Sequence, residues 1–198
     1  MSATSSTPRR RLGPEERRAA ILTAARRAFA AAPYAQVSVP DVARAAHGSP
    51  AIVFHYFGSK EGLYAAVLAD DLAALAARQQ AADEALPPHS SARDRARTWV
   101  LAHLDHVAAR TTRSAPREEP PAAAETRAAS RANDLAFLTG LLNPTDAARD
   151  RFALLGFLGF LDAAGAAWAS HDCPEDDRHP LVDAALGALE GALGDWRR

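Results

Sequence analysis

Alanine is the most frequent residue of this chain, and its alanine-rich stretches are interrupted only where proline and glycine cluster. Alanine has the highest intrinsic helix propensity, and the β-branched residues that favour strands are sparse. Apolar side chains recur every three or four residues, a spacing that places them on one face of a helix. The sequence therefore predicts an all-α protein, long enough at 198 residues for a small N-terminal helical domain and a larger helical one.

Proline, glycine and serine mark the predicted helix ends. Pro14 and two following acids open a first helix that ends near Pro33. Ser38 and Ser49 each precede a helix start and are predicted N-caps of two short helices, separated by His47-Gly48. The predicted buried stripe of the first short helix is Val42, Ala45 and Ala46, and the apolar positions of the second are Ile52, Val53, Phe54 and Phe57. Beyond Gly58, longer helices are predicted over residues 59–82, 91–110, 122–142, 144–170 and 179–197.

Charge is distributed unevenly, although the formal net charge is only −1. Residues 1–61 contain nine Arg and Lys side chains against four acids, a net charge of +5, which leaves −6 for the remainder. This asymmetry suits a phosphate-binding head on an acidic body, and also an ordinary solvated helix face. Residues 1–12 contain Arg9, Arg10 and Arg11 without the apolar segment of a secretory signal, so we predict a flexible basic arm.

Residues 152–170 form one nearly uncharged stretch whose length is close to that of a membrane span. Asp162 lies near its middle and no basic flank follows, so a buried interface helix is the preferred interpretation. Cys173 is the only cysteine, which excludes an intrachain disulfide and fits a reducing compartment. We therefore expect a cytoplasmic protein without membrane association.

Residues 38–57 have the dimensions of a helix-turn-helix, in which the second short helix lies in the major groove of DNA. That helix must be supported from one side and exposed on the other. Ser49, Pro50, Ala51 and His55 are predicted to point outward. By spacing alone, an αα-hairpin of any helical protein fits the same pattern.

The residue types in this segment favour the helix-turn-helix over a general αα-hairpin. Phe29, Ser38, Val42-Ala43, Ser49 and the run from Phe54 to Glu61 resemble the N-terminal domain of the tetracycline-repressor (TetR) family of regulators, over about residues 15–68. The resemblance implies a homodimer that binds palindromic double-stranded operator DNA and is released by a small-molecule effector. It also implies that Lys60 and Tyr56 contact the DNA backbone and that His55 faces the groove. The predicted DNA-binding residues are Ser38, Ser49, Pro50, Ala51, His55, Tyr56 and Lys60.

Three places depart from the family pattern. His47-Gly48 stands where the family usually has Gly-Val, and Pro33 replaces a glycine. Ile52 and Phe54 stand where the family often has Thr and Tyr, and neither can donate a hydrogen bond to phosphate. Each lost hydrogen bond weakens binding by about 1 kcal/mol. The alternative function is therefore a ligand-binding or protein-interaction module whose DNA-binding head is degenerate.

The predicted domains are the arm over residues 1–12, a helix-turn-helix domain over 13–58, and an effector-binding and dimerisation domain over 59–198. The side chains predicted to bind the effector are Trp99, His103, His106, Phe137, Leu141 and Phe157. The resemblance implies that the last two helices pair with their copies in the dimer. The predicted dimer-interface residues are Leu155, Gly159, Trp168, Leu186, Leu189 and Leu193.

An all-α enzyme that uses His103, Asp105 and His106 is a third interpretation. The sequence contains neither a glycine-rich phosphate loop nor a nucleophile elbow to support it. The histidine pair lacks a third metal ligand nearby, and the group His171, Cys173 and His179 is an equally weak metal candidate. We expect no enzymatic activity, no cofactor and no metal.

Overall fold

The computed structural model describes residues 13–109, 119–145 and 147–194, so the predicted basic arm lies outside the described residues. Within this part of the chain every regular element is helical, which confirms the all-α prediction. The α-helices are α1 (Pro14–Ala31), α2 (Val39–Ala45), α3 (Pro50–Phe57), α4 (Lys60–Glu84), α5 (Ala92–Ala109), α6 (Pro121–Leu142), α7 (Ala148–Ser170) and α8 (Glu175–Leu193). A short 3₁₀ turn, Tyr34–Gln36, connects α1 to α2.

The chain divides into two compact units, Met1–Val67 and Leu68–Arg198, which we call the head and the body. The division falls inside α4, so the first residues of this helix belong to the head and the remainder to the body.

The head has a core of its own, to which α1, α2, α3 and the start of α4 contribute. Its largest fully buried side chains are Ile21, Val42, Val53 and Leu63. On α2 the buried positions are Val39, Val42 and Ala43, with Ala46 at the cap, a spacing of three, four and seven residues.

Two apolar residues of the short helices are exposed, and one of them, Ala45, was predicted in the buried stripe of α2. Ala45 is exposed because the buried stripe of α2 runs through Ala43. Phe54 is 44% exposed because only Val53 of α3 is buried in the core. The predicted caps Ser38 and Ser49 do occupy the N-cap positions, but neither hydroxyl makes a capping hydrogen bond.

The body core lies where α5, α7 and α8 pack together, with α6 against α5 and α7. By length and composition α7 could cross a membrane. One of its faces packs into this core through side chains that include Phe157, Leu161 and Trp168. Packing therefore accounts for much of its apolar character.

Two predicted helix starts are displaced. The last helix begins at Glu175 instead of residue 179, and Pro180 lies inside it. Three acids, Glu175, Asp176 and Asp177, form its first turn, where the helix dipole favours negative charge. The preceding helix, α7, begins at Ala148 instead of residue 144. Thr145, which precedes it, donates hydrogen bonds from its N–H (2.8 Å) and its hydroxyl (2.6 Å) to the carboxylate of Asp150.

Candidate nucleic-acid interface

The turn between α2 and α3 is a Schellman motif. The Gly48 N–H donates to the Ala43 carbonyl at 2.8 Å, and the His47 N–H donates to the Arg44 carbonyl at 3.1 Å. The left-handed residue of the motif is His47, with φ of 54°. A Cβ at Gly48 would lie 3.0 Å from Ile52 Cγ2, so a larger residue there would require a small shift of the Ile52 side chain. The two residues that depart from the family pattern therefore still build a tight turn.

The outward face of α3 is the one predicted from the sequence. Ser49, Pro50, Ala51 and His55 are exposed, and Val53 anchors the opposite face in the core. Tyr56 is half-buried, and its ring lies edge-on to that of His55 with centroids 5.3 Å apart. This arrangement supports α3 from one side and leaves its N-terminal residues open to solvent.

The charged groups near this helix include two with clear local partners. Arg44 donates to Asp41 at 2.7 Å on the exposed side of α2. The guanidinium of Arg18 on α1 lies 5.4 Å from the ring centroid of Phe57. Both arginine side chains belong to the head and contribute positive charge to it.

Lys60 has an internal contact that the sequence did not predict. Its ammonium donates to the Ala35 carbonyl at 3.2 Å and lies 4.5 Å from the ring centroid of Tyr34. The ring of Tyr34 also packs with Phe29 and Tyr64, at centroid distances of 6.0 and 5.4 Å. Burial, and to a smaller extent the charge of Glu61, raises the pKa of Tyr34, so the phenol stays neutral. Because an ammonium has three donors, Lys60 can hold the 3₁₀ turn and still bind another acceptor.

The body contains a groove-shaped cavity of about 380 Å³ between α4 and α6. The α4 wall consists of Ala69, Leu72, Ala73, Leu75 and Ala76, with Gln79 at its end. The α6 wall is mainly polar, with Thr126, Ser130, Asn133 and Asp134. Desolvation, strengthened by the charge of Asp162 and opposed by Arg131, raises the pKa of Asp134 to about 6.

None of the six predicted effector-binding residues lines this cavity. Trp99 and Phe157 are buried in the body core, and the Trp99 ring lies 6.1 Å from that of Phe137, with Leu141 packed against the same cluster. His103 stacks on Trp99 with centroids 6.3 Å apart. His106 is buried, and its Nε2 lies 3.4 Å from Asp71 Oδ1.

Sequence reasoning missed Gln79 and Asp134. Gln79 continues the inward row of Leu68, Leu72 and Leu75 on α4, and a polar side chain in such a row is a usable signal. The residue is buried, with a relative exposure of 4%. Asp134 gives no comparable pattern on α6.

The predicted dimer-interface residues divide into two groups. Trp168, Leu186 and Leu189 are buried in the core of a single chain, which corrects their placement on an interface. Leu155 and Gly159 are exposed on α7, and Leu193 is half-buried. These three remain predicted interface residues.

Two of the three side chains of the enzyme interpretation, Asp105 and His106, contact different helices. Asp105 is exposed and accepts a hydrogen bond from Arg178 on α8. His106 is buried and faces Asp71 on α4. Among the described residues, no group of three His, Cys, Asp or Glu side chains is arranged to hold a metal ion.

These features define a helix-turn-helix protein with an all-helical second unit. Residues 21–67 match the family model of bacterial regulatory proteins, tetR family. Over these residues the chain is similar to the N-terminal domain of tetR-family regulatory proteins.

Solved structures support the same fold along most of the chain. A tetR-family transcriptional regulator from Streptomyces coelicolor is 20% identical over 91% of this chain and 80% of its own, with a TM-score of 0.70. A putative TetR-family regulator from Rhodococcus sp. is 19% identical over 90% of this chain and 100% of its own, with a TM-score of 0.70. FadR from Bacillus subtilis, solved in complex with stearoyl-CoA, is 17% identical over 89% of this chain and 98% of its own, with a TM-score of 0.65. No curated protein matches the sequence.

Proposed function

We propose that this protein is a dimeric transcriptional repressor that leaves its operator when a small molecule binds to the body. The observation that carries the proposal is the exposed N-terminal face of α3, held by a tight turn within a segment that matches the tetR family model. A helix presented in this way fits the major groove, where its first residues reach base edges. The regulator would act in the cytoplasm.

In the proposed complex the exposed residues at the start of α3 and one turn further along it lie against the DNA. Ser49, Pro50 and Ala51 lie at the N-terminus of the helix, next to the base edges and the flanking phosphates. His55 lies one turn further and offers a ring nitrogen to a base or a phosphate. Ser38 at the start of α2, Tyr56 and the unused donors of Lys60 contact the DNA backbone.

The proposed dimer uses the outer faces of α7 and α8. Gly156 and Gly159 on α7, and Gly187 and Gly191 on α8, have open space where a Cβ would lie. Phe152 is 63% exposed at the N-terminal end of the same α7 surface. Small side chains beside a large apolar one permit close helix crossing with a second copy. Dimerisation is needed because the two α3 helices must lie about 34 Å apart to enter successive grooves.

The proposed effector site is the cavity between α4 and α6. It lies in the volume range of small-molecule pockets, and its apolar wall faces a polar one. The stearoyl-CoA complex of the Bacillus subtilis protein supports an effector in a protein of this fold. A ligand that weakens DNA binding 100-fold must favour the released state by about 2.7 kcal/mol.

The test is the binding of the full chain to a fluorescent duplex from around its own coding sequence. We expect binding that survives nonspecific competitor and weakens steeply with salt, because phosphate contacts release counterions. His55→Ala should change the sequence preference, and Lys60→Ala should weaken binding to all duplexes. Arg78→Ala removes one positive charge from the exposed surface of α4 in the body and serves as the matched control for Lys60→Ala.

Two results would contradict the proposal. A chain that stays monomeric at micromolar concentration cannot place two helices in successive grooves. Equal affinity for every duplex tested would favour the alternative of a ligand-binding or protein-interaction module with a degenerate head.

A further inference from the structure

The side chains that line the α4–α6 cavity set the charge of what it can hold. Asp134 is the acidic residue of its lining, and the lining contains neither arginine nor lysine among the described residues. Arg131 on α6 acts on Asp134 but is paired with Asp162, so the lining itself presents a carboxylate, which repels an anionic ligand and attracts a cation. The opposite wall of alanine and leucine requires an apolar surface on the same ligand.

The shape of the cavity limits the ligand further. On α4 the lining extends from Ala69 to Gln79, which corresponds to about 15 Å along a helix, and on α6 from Thr126 to Asp134, about 12 Å. The lining residues therefore follow the two helices as an elongated groove. A linear chain, or a small flat ring system inserted edge-on, fits such a groove better than a bulky molecule.

Gln79 provides an independent sign that a polar ligand atom belongs in this cavity. Its side chain is buried, and Nε2 has no hydrogen-bond partner among the described residues. A buried amide N–H without an acceptor is unfavourable. Because Nε2 is itself shielded, the Gln79 amide must turn toward the cavity for a ligand oxygen to supply the missing acceptor.

We propose that the cavity binds an elongated apolar molecule that carries a protonated amine, with the ammonium paired to the carboxylate of Asp134 and a ligand oxygen accepting a hydrogen bond from Gln79. This inference rests on the proposed function, since it names the chemical class of the effector.

The protonation of Asp134 gives the interaction a pH dependence. Asp162 on α7 raises the pKa of Asp134 and Arg131 on α6 lowers it, while the α4 residues of the lining carry no charge. Burial is the largest of these effects, and the pKa of Asp134 is about 6. An alkylammonium stays charged throughout this range, so its affinity should be constant above the pKa of Asp134 and should fall as the pH decreases below it.

The experiment measures binding of matched probes to the full chain by calorimetry near neutral pH. Decylamine, decanol and decanoate share one alkyl chain and differ in the charge of the head group. We expect decylamine to bind at least tenfold more tightly than decanoate. Asp134→Asn should reduce decylamine affinity at least tenfold and leave decanol affinity within twofold.

Control variants separate this contact from general effects of charge and packing. Glu125→Gln removes one acidic charge from the exposed side of α6, outside the cavity lining, and should leave all affinities unchanged. Hexyloxypropylamine has the length of decylamine and one ether oxygen. Gln79→Leu should weaken its binding at least threefold more than that of decylamine, and an equal response of the two amines would overturn the Gln79 contact.

The inference is overturned if decanoate binds as tightly as decylamine, if Asp134→Asn leaves decylamine affinity unchanged, or if no probe binds. Release of a bound duplex by the same probes tests the proposed function separately. Amine binding through Asp134 without DNA release would support the inference and contradict the effector role. DNA release by decanoate, with no binding of the amines, would support the effector role and contradict the inference.

Discussion

Replacing Asp134 by asparagine should stabilise the ligand-free protein at neutral pH and have little effect in acid. The pKa of Asp134 in the folded chain is about 6, against an ordinary value of 3.8. That difference corresponds to about 3 kcal/mol for a fully buried group. Asp134 is only half-buried, and solvent screening reduces the expected effect to about 1–2 kcal/mol.

The direction follows from the two protonation states. A carboxyl whose pKa is raised by folding contributes its full stability below the unfolded pKa, and this stability is lost as the pH rises through the folded pKa. Wild type should therefore lose about 1–2 kcal/mol relative to Asp134→Asn between about pH 4 and pH 7.5. Asparagine resembles the protonated acid and does not titrate.

Urea unfolding of both proteins at several pH values measures this difference, at one fixed protein concentration because dimerisation would also contribute. At neutral pH the variant should melt about 2–6 °C above wild type. Glu125→Gln is the matched control and should show no pH-dependent difference. A difference between Asp134→Asn and wild type that is independent of pH would refute the reasoning, as would a variant that is less stable than wild type at pH 7.5.

Three further predictions concern local contacts. Gly62→Ala should destabilise the head by about 3 kcal/mol or more and reduce DNA binding, because a Cβ there would lie 2.1 Å from the Phe57 carbonyl oxygen. Gly140→Ala, with open space around it, should instead stabilise the chain by about 0.5–1 kcal/mol. Thermal unfolding in which the two substitutions change the stability in the same direction would contradict this. His47→Gly should raise the free energy of unfolding by about 1 kcal/mol, since φ of 54° strains a residue with a Cβ, whereas a destabilised variant would show that the His47 side chain makes a contribution of its own. Arg95→Ala should lower stability by about 1 kcal/mol at neutral pH by removing two hydrogen bonds, of 2.7 and 2.6 Å, to Asp83. Because Arg95 lowers the pKa of Asp83, this stability is present above the ordinary carboxyl pKa and is lost as the pH falls through the pKa of Asp83 in the folded chain. Urea unfolding in acid should therefore show no effect of the substitution.

Local sequence signals were sufficient for most of the fold. Helix starts and ends follow from prolines, glycines and capping residues, and the outward face of α3 follows from helical period alone. The start of the last helix was misplaced because a proline such as Pro180 is expected to interrupt a helix. The acidic residues before Pro180 nevertheless form the first helical turn. The exposure of Ala45 depends on where α2 meets its neighbours, and a seven-residue helix gives too few turns to fix its face.

The candidate sites were less predictable because they depend on contacts between distant residues. Lys60 reaches the Ala35 carbonyl across 25 residues, and no local pattern indicates that contact. The cavity that contains Gln79 and Asp134 exists only where α4 and α6 leave a gap. Trp99 and Phe157 have the composition of a pocket wall but fill the core, because apolar side chains are used for both purposes.

Lys60 is the only lysine and Cys173 the only cysteine of the sequence, so two reagents of different chemistry each address a single side chain. The Lys60 ammonium is engaged by the Ala35 carbonyl and the Tyr34 ring, which should slow its acylation while the head is intact. Its rate of acylation therefore reports local opening of the head, and a dye on Cys173 reports on the body of the same molecule.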